Sequence, residues 1–459
     1  MPRRRPLADQ AARDLIETRT DLNVLVEAGA GSGKTESLAR RMVAGIADGT
    51  YEIEGMAAVT FTRKAAAQLR GRFQLVLEHR RDKEQNLQRK ERIHVALSRL
   101  ERLFAGTIHA FCAHLLRERP VEAGIAPDFT ELDQEADAEF RRRAWRDYLD
   151  RERAIGSASY QELADAGVTP KDLDDAFATV CQYPEVAFPP GDARLPELGP
   201  AQAGLMKFWT TLQGWLPDPI PDETTCGVQQ KAREFAGRLR TADSTRPASL
   251  VELLAFWEGN PKIVQKWWHP DSKQKKIVAQ QVQAIIENFQ EQTVAPFVTA
   301  WRHYVYRLAI PLVCGGREFA ARARARAVAL NYEDLLQQAA RLLRGKPEVR
   351  AALQRKYRWL FVDEFQDTDP IQAEVIVLLA ATPGSESDWM RVSPRPGALF
   401  IVGDPKQSIY RFRRADIDTY ERVRRRIEAT GGRVVELTTS FRAVPTLCEW
   451  ANNVFGLCT

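Results

Sequence analysis

LNVLVEAGAGSGKT, residues 22–35, joins a short apolar run to a glycine-rich loop that ends in Gly33-Lys34-Thr35. Leu22–Val26 has the length and composition of a buried strand. Glu36–Ile46 sets Leu38, Met42, Val43 and Ile46 on one side of a helix. In such a strand–loop–helix setting, backbone N–H groups and the helix dipole can cradle phosphates. The loop pattern runs from Ala28 through Gly29, Ala30, Gly31, Ser32 and Gly33 to Lys34 and Thr35. Lys34 can reach β and γ phosphate oxygens and Thr35 can ligate Mg²⁺, so the stretch predicts binding of ATP with Mg²⁺.

Further strands follow from the same reading. Ala57–Phe61 (AAVTF), Trp359–Glu364 (WLFVDE) and Ala398–Asp404 (ALFIVGD) are fully apolar runs, each leading into a polar turn and a helical pattern. Apolar strands separated by helices predict a parallel sheet covered on both faces, an α/β P-loop domain. Residues 113–330 differ. They hold seven of the ten tryptophans, Pro-rich breaks at 184–200 and 217–221, and long helical patterns without apolar strands. The expected organisation is therefore an ATP-binding domain in two segments, 1–112 and 331–459, interrupted by a mostly helical accessory insertion, 113–330.

A P-loop serves kinases, GTPases and motors alike, and the acidic strand end discriminates among them. In LFVDEFQD, Asp363 at a buried strand tip would hold Mg²⁺, and Glu364 beside it would orient and deprotonate an attacking water. The adjacent pair suits hydrolysis better than transfer to a small molecule.

Composition sets the outer limits. A chain of 459 residues predicts roughly two to three domains. With 44% hydrophobic and 28% charged residues it reads as an ordinary globular protein. No run approaches the ~18 apolar residues of a spanning helix, and the N-terminal residues have charge without an apolar stretch. A cytoplasmic protein without a membrane partner is expected, monomeric when isolated. The six cysteines form no CxxC pair and read as free thiols. Net charge is only +5, but arginines cluster at 411–426 and at 317–326. These clusters could hold phosphates or form solvated helix faces with partners such as Glu421 and Glu428.

Seven segments in order resemble the UvrD-like superfamily 1 DNA helicases, and within them the AddA/RecB branch of helicase-nucleases. They are DQAAR (9–13), the P-loop, VTFTRKAA (59–66), GTIHAFC (106–112), VDEFQDTDPIQ (362–372), GDPKQSIYRFRRAD (403–416) and TTSFRA (438–443), with NYEDLL (331–336) preceding the acidic strand. The middle matches only loosely, at GIAPDFTELDQEA (124–136). The resemblance implies a RecA-like fold and a DNA-dependent ATPase that translocates on single-stranded DNA in repair or recombination. It implies Gln10 as adenine reader, Gln407 as γ-phosphate sensor and Arg442 as an arginine finger. Phe61, Tyr410 and Phe412 would stack bases, while Thr62, Arg63, Thr107 and His109 would bond the phosphodiester backbone. Apart from those motifs, Phe61 reads as core and His109 equally as a core histidine. Trp267 and Trp268, with nearby lysines, read as packing or as a DNA platform.

The sequence departs from the family pattern after Thr459, where no second RecA-like set and no nuclease cluster follow. The expectation is the N-terminal half of a motor, unable to unwind DNA alone, with an AddB-like protein as a possible partner. Two other classes remain open: a nucleotide-gated single-strand-binding module without productive ATPase, and a P-loop transferase with no DNA affinity.

Overall fold

The computed structural model describes residues 7–183, 186–271, 273–409, 415–442 and 444–455. The described chain divides into two compact units, residues 1–135 with 328–459, and residues 136–327.

The first unit is built on a six-stranded, wholly parallel sheet. Its strands are β1 Val24–Ala28, β2 Met56–Thr60, β3 Phe104–Thr107, β6 Trp359–Val362, β7 Leu399–Gly403 and β8 Arg433–Leu437, in the order β3-β2-β6-β7-β1-β8. β1, β2 and β7 are almost wholly buried, as strands covered on both faces must be. One face packs around Leu38, Met42, Leu69 and Phe73, the other around Phe111, Leu335, Leu342 and Leu379. Glu27 is in register with Gly403, and Val59 with Val362, so the strands end together and their following loops open on one edge. Ligands in open α/β sheets bind at that edge, outside the carboxyl ends of the strands.

The expected strands are present with ends shifted by one or two residues: Ala28 closes β1, and Phe61 lies just past β2. β3 and β8, short and only partly buried, carry no apolar run that would have marked them.

Residues 113–135 and 328–330 fall in the first unit rather than in the insertion. The helix Ile108–Glu118 runs through residue 112 without a break and packs Leu115 and Leu116 into the sheet's core. β4 Thr130–Leu132 and β5 Ala329–Asn331 then pair in parallel, Thr130 opposite Ala329 and Leu132 opposite Asn331. A strand thus occurs within the stretch read as strand-free, and the pair draws together the two ends of the excursion.

The second unit is helical, with long helices at Gln134–Ala154, Leu198–Gln213, Gln274–Phe289 and Ala295–Arg326. Its tryptophans are structural. Trp145, Trp209, Trp257, Trp268 and Trp301 are buried, and Trp215 and Trp267 pack against them in part. Trp145 stacks on Phe177 at 4.4 Å, and Phe208 on Phe289 at 3.9 Å. Trp267 donates from Nε1 to Thr225 Oγ1 at 2.9 Å. Among the described residues no helix is long and apolar enough to cross a membrane.

Candidate nucleotide site and nucleic-acid face

The glycine loop connects β1 to the helix Lys34–Asp48, whose N-cap is Gly33. Gly31 and Gly33 have φ of +77° and +86°, a region that side chains with a Cβ rarely adopt. Ser32 closes the turn, donating from its N–H to Gly29 O at 3.2 Å and from Oγ to the same oxygen at 2.8 Å. Gly31 is also needed for space, because a Cβ there would lie 2.4 Å from Arg442 Cβ. Phe441 N donates to Gly31 O at 2.8 Å, which seats the segment after β8 directly on the loop. Arg442, expected to sense phosphate, is exposed beside Gly31.

Two strands away, β6 ends at the acidic pair. Lys34 Nζ lies 3.0 Å from Glu364 Oε2, and Thr35 Oγ1 donates to Asp363 Oδ2 at 3.4 Å. Residues more than three hundred positions apart thus share one small volume. Glu364 adopts φ 56°, ψ 43°, left-handed backbone that costs a non-glycine residue about 1–2 kcal/mol. Burial of Asp363, reinforced by the neighbouring Glu364, pushes its carboxyl up to about 6 despite Lys34 and Thr35. A cation held there would reverse that preference, and a hydroxyl beside a carboxylate is the oxygen donor set that Mg²⁺ takes when phosphates complete its shell.

A polar chain extends from this pair. Gln366 Nε2 donates to Glu364 Oε2 at 2.8 Å while its Oε1 accepts from Asp404 N at 2.9 Å. Gln407 Nε2 donates to Asp404 Oδ2 at 2.6 Å. Gln407 therefore connects to Glu364 through two intermediates, and to one of them, Gln366, the sequence alone assigns no role. Its position inside the acidic motif, as a buried amide, was the available signal. Asp367, one turn on, is buried, and its Oδ1 has no hydrogen-bond partner. Burial and Glu364 push it to about 6.

On the other side of the loop, Gln10 opens the helix Gln10–Thr18 and donates to Asp14 Oδ1 at 2.8 Å. It lines a cleft of about 450 Å³ together with Arg13, Gly33, Arg40 and Phe441. Asp9 and Arg13 from the same motif prove to be structural. Arg13 binds Asp9 through Nε at 3.0 Å and Nη2 at 2.8 Å, and Nη2 also reaches Ser32 O at 2.9 Å. Asp9 in addition accepts from Thr439 N at 3.0 Å and Thr439 Oγ1 at 2.9 Å. Burial alone would raise its carboxyl, but the bonds from Arg13 and Thr439 hold it well below the usual carboxylate range.

The residues expected to meet DNA follow β2 and β3. Thr62 and Thr107 are helix N-caps, accepting from Ala65 N at 3.1 Å and Ala110 N at 3.2 Å, so their hydroxyls are partly engaged in local structure. Phe61 is half-buried after β2. His109 stacks on Tyr332 at 4.6 Å, and Arg63 Nη2 donates to Tyr332 Oη at 3.5 Å. Three motifs therefore meet at Tyr332, a residue of NYEDLL to which the sequence alone assigns no role. Burial holds the His109 imidazolium down to about 4, so the ring is neutral at physiological pH. Tyr410 and Phe412 lie outside the described residues. In the two arginine clusters, Arg424 pairs with Glu27 and Glu421, and Arg324 with Asp137, which favours structural partners for these members.

Residues 8–428 match the family described as UvrD/REP helicase N-terminal domain. The chain belongs to this family. The UvrD/REP match covers both segments of the sheet as well as the helical unit. Among curated proteins the chain is similar to the ATP-dependent helicase/nuclease subunit of the AddA type from Geobacillus thermodenitrificans, 26% identical across 95% of this chain and 38% of that protein. It is similar to the proteins of the same name from Enterococcus faecalis (25%, covering 95% and 37%) and Desulforudis audaxviator (26%, covering 94% and 38%). This UvrD/REP helicase chain thus spans a little over a third of the length of those relatives.

Proposed function

We propose that residues 1–135 and 328–459 form the ATP-binding unit of a DNA helicase that moves on single-stranded DNA in repair or recombination, coupling movement to ATP hydrolysis. The observation that carries this reading is the convergence of Lys34, Thr35, Asp363 and Glu364. In the proposed roles, the loop N–H groups from Gly29 to Gly33 and Lys34 bind the phosphates, and Gln10 lies against the base. Thr35 and Asp363 hold Mg²⁺, which when bound supplies charge neutralisation at the phosphates. Lys34 is paired with Glu364 in the structure, so a triphosphate that draws Lys34 away leaves the Glu364 carboxylate free to take a proton from water. Gln366 and Asp404 transmit the state of Glu364 to Gln407, and Arg442 stabilises charge on the transferring phosphoryl group.

Single-stranded DNA would run across the loops after β2 and β3, over Phe61, Thr62, Arg63, Thr107 and His109, with Tyr410 and Phe412 assigned from their motif. The relatives are named as subunits, which supports an AddB-like partner for this chain as well. Equilibrium binding and phosphate release test the reading together. Lys34→Ala should abolish Mg-ATP binding, whereas Glu364→Gln should retain it and lower any DNA-stimulated phosphate release by ~10²–10⁴. Mg-ATP binding that persists in Lys34→Ala, or equal affinity for duplex and single strand, would refute it. DNA binding with no rise in phosphate release would instead mark a nucleotide-gated binding module.

A further inference from the structure

A second concavity lies at the opposite edge of the sheet from the phosphate loop. β7 ends at Gly403, next to the polar chain through Asp404, and begins at Leu399, which floors a cavity of about 280 Å³. Its walls are Val377, Trp389, Met390, Val423 and Ile427, and its rim carries Arg422 and Arg425. The loop that forms one wall is fastened in place. Arg426 donates from Nε to Val392 O at 2.7 Å and from Nη2 to Arg391 O. Thr382 N donates to Ser393 O at 2.8 Å, and Met390 N to Asp388 Oδ1 at 2.9 Å. The cavity is thus formed in advance, which lowers the ordering cost for an occupant.

The two rim arginines are both exposed. Neither pairs with a carboxylate among the described residues, whereas Arg424 and Arg391 on the same elements do. Arg422 Nη1 touches only Met390 Sδ, at 3.7 Å. They stand one helical turn apart on the helix Ile417–Ala429, so two carboxylates on one ligand could engage both. The floor is apolar and of a size for one or two side chains, and Met390, 49% exposed, is an adaptable wall. A phosphodiester would satisfy the arginines but would leave this floor unfilled.

We propose that this cavity docks a segment of a partner protein bearing a bulky apolar side chain flanked by acidic residues. The apolar anchor fills the cavity over Leu399, and the flanking carboxylates bind Arg422 and Arg425. The test uses the full chain with ¹³C-methyl methionine, the Met390 signal being assigned with Met390→Leu. The acidic hexapeptide EEFLEE is the probe, with EEAAEE as its control. A saturable shift of the Met390 methyl with a Kd of about 1 mM or tighter is expected. It should weaken at least tenfold in Arg422→Glu/Arg425→Glu and be absent with EEAAEE. No saturable shift, equal binding by both peptides, or unchanged affinity in the charge-reversed variant would overturn the proposal. So would a shift produced by a single-stranded oligonucleotide or inorganic phosphate but not by EEFLEE. Because the readout is a methyl at the far edge of the sheet, it does not depend on nucleotide binding or turnover, and either reading can fail without the other.

Discussion

Replacing Asp9 with alanine should loosen the phosphate loop from a distance. The Asp9 side chain is nearly inaccessible, 2% exposed, and that of its partner Arg13 is 14% exposed. The Asp9 carboxylate accepts two bonds from Arg13 and two from Thr439. Asp9→Ala removes all four and leaves a guanidinium and a backbone N–H without their acceptor in a place water reaches poorly. Breaking one side of a buried pair costs about 3–5 kcal/mol. Part of this falls on Arg13, which also holds Ser32 O, and part on the segment that seats Phe441 and Arg442 against Gly31. Hydrogen–deuterium exchange reads the effect locally: a loss of about 3 kcal/mol corresponds to opening about a hundredfold more often. Residues 10–18, 29–33 and 437–442 should all exchange faster by about that factor, while β2 and β6 stay protected. Thr439→Val, which removes only the hydroxyl bond, should cost about 1 kcal/mol. Unchanged exchange in all three segments of Asp9→Ala would refute the clamp.

Gly31→Ala, which meets Arg442 Cβ at 2.4 Å and a φ of +77°, should weaken Mg-ATP binding at least tenfold by titration calorimetry, whereas Gly29→Ala, with open space at its Cβ, should be milder. Tyr332→Ala should weaken single-stranded DNA binding by ~1–3 kcal/mol in fluorescence anisotropy, as loss of a stacking ring does. Because His109 is held down to about 4, the wild-type affinity should show no titration of this residue between pH 5 and 8. Glu118 gives an acid-side prediction. Burial would raise its carboxyl, but bonds from His114, Lys356 and Tyr357 outweigh this and bring it from the usual 4.5 to about 2. A depressed carboxyl stabilises above its unfolded value and loses that contribution as pH falls from about 4.5 toward 2. Wild type should thus lose about 2–3 kcal/mol across that window relative to Glu118→Gln in urea unfolding.

The features legible in the sequence are those written locally. The strand–loop–helix around Lys34, the acidic strand tip and the glycines needing positive φ depend on residues within one turn of each other. The order of the motifs then points to the family. The seven tryptophans of 113–330 pack, since large rings in amphipathic helices find a core before they find a ligand. Tertiary structure decided the rest, because a sequence shows which residues end a strand but not which strands are neighbours. The order β3-β2-β6-β7-β1-β8 brings Lys34 to Glu364 and places β7, with Asp404 and Gln407, between them. Asp9 finds Thr439, and Tyr332 finds His109, through contacts spanning 430 and more than two hundred positions. The shift of the unit boundary to 135 and 328 follows from β4 pairing with β5, two strands too short and too polar to announce themselves. Hydrogen bonds of that kind are satisfied only when the fold is complete, which is why no local pattern records them.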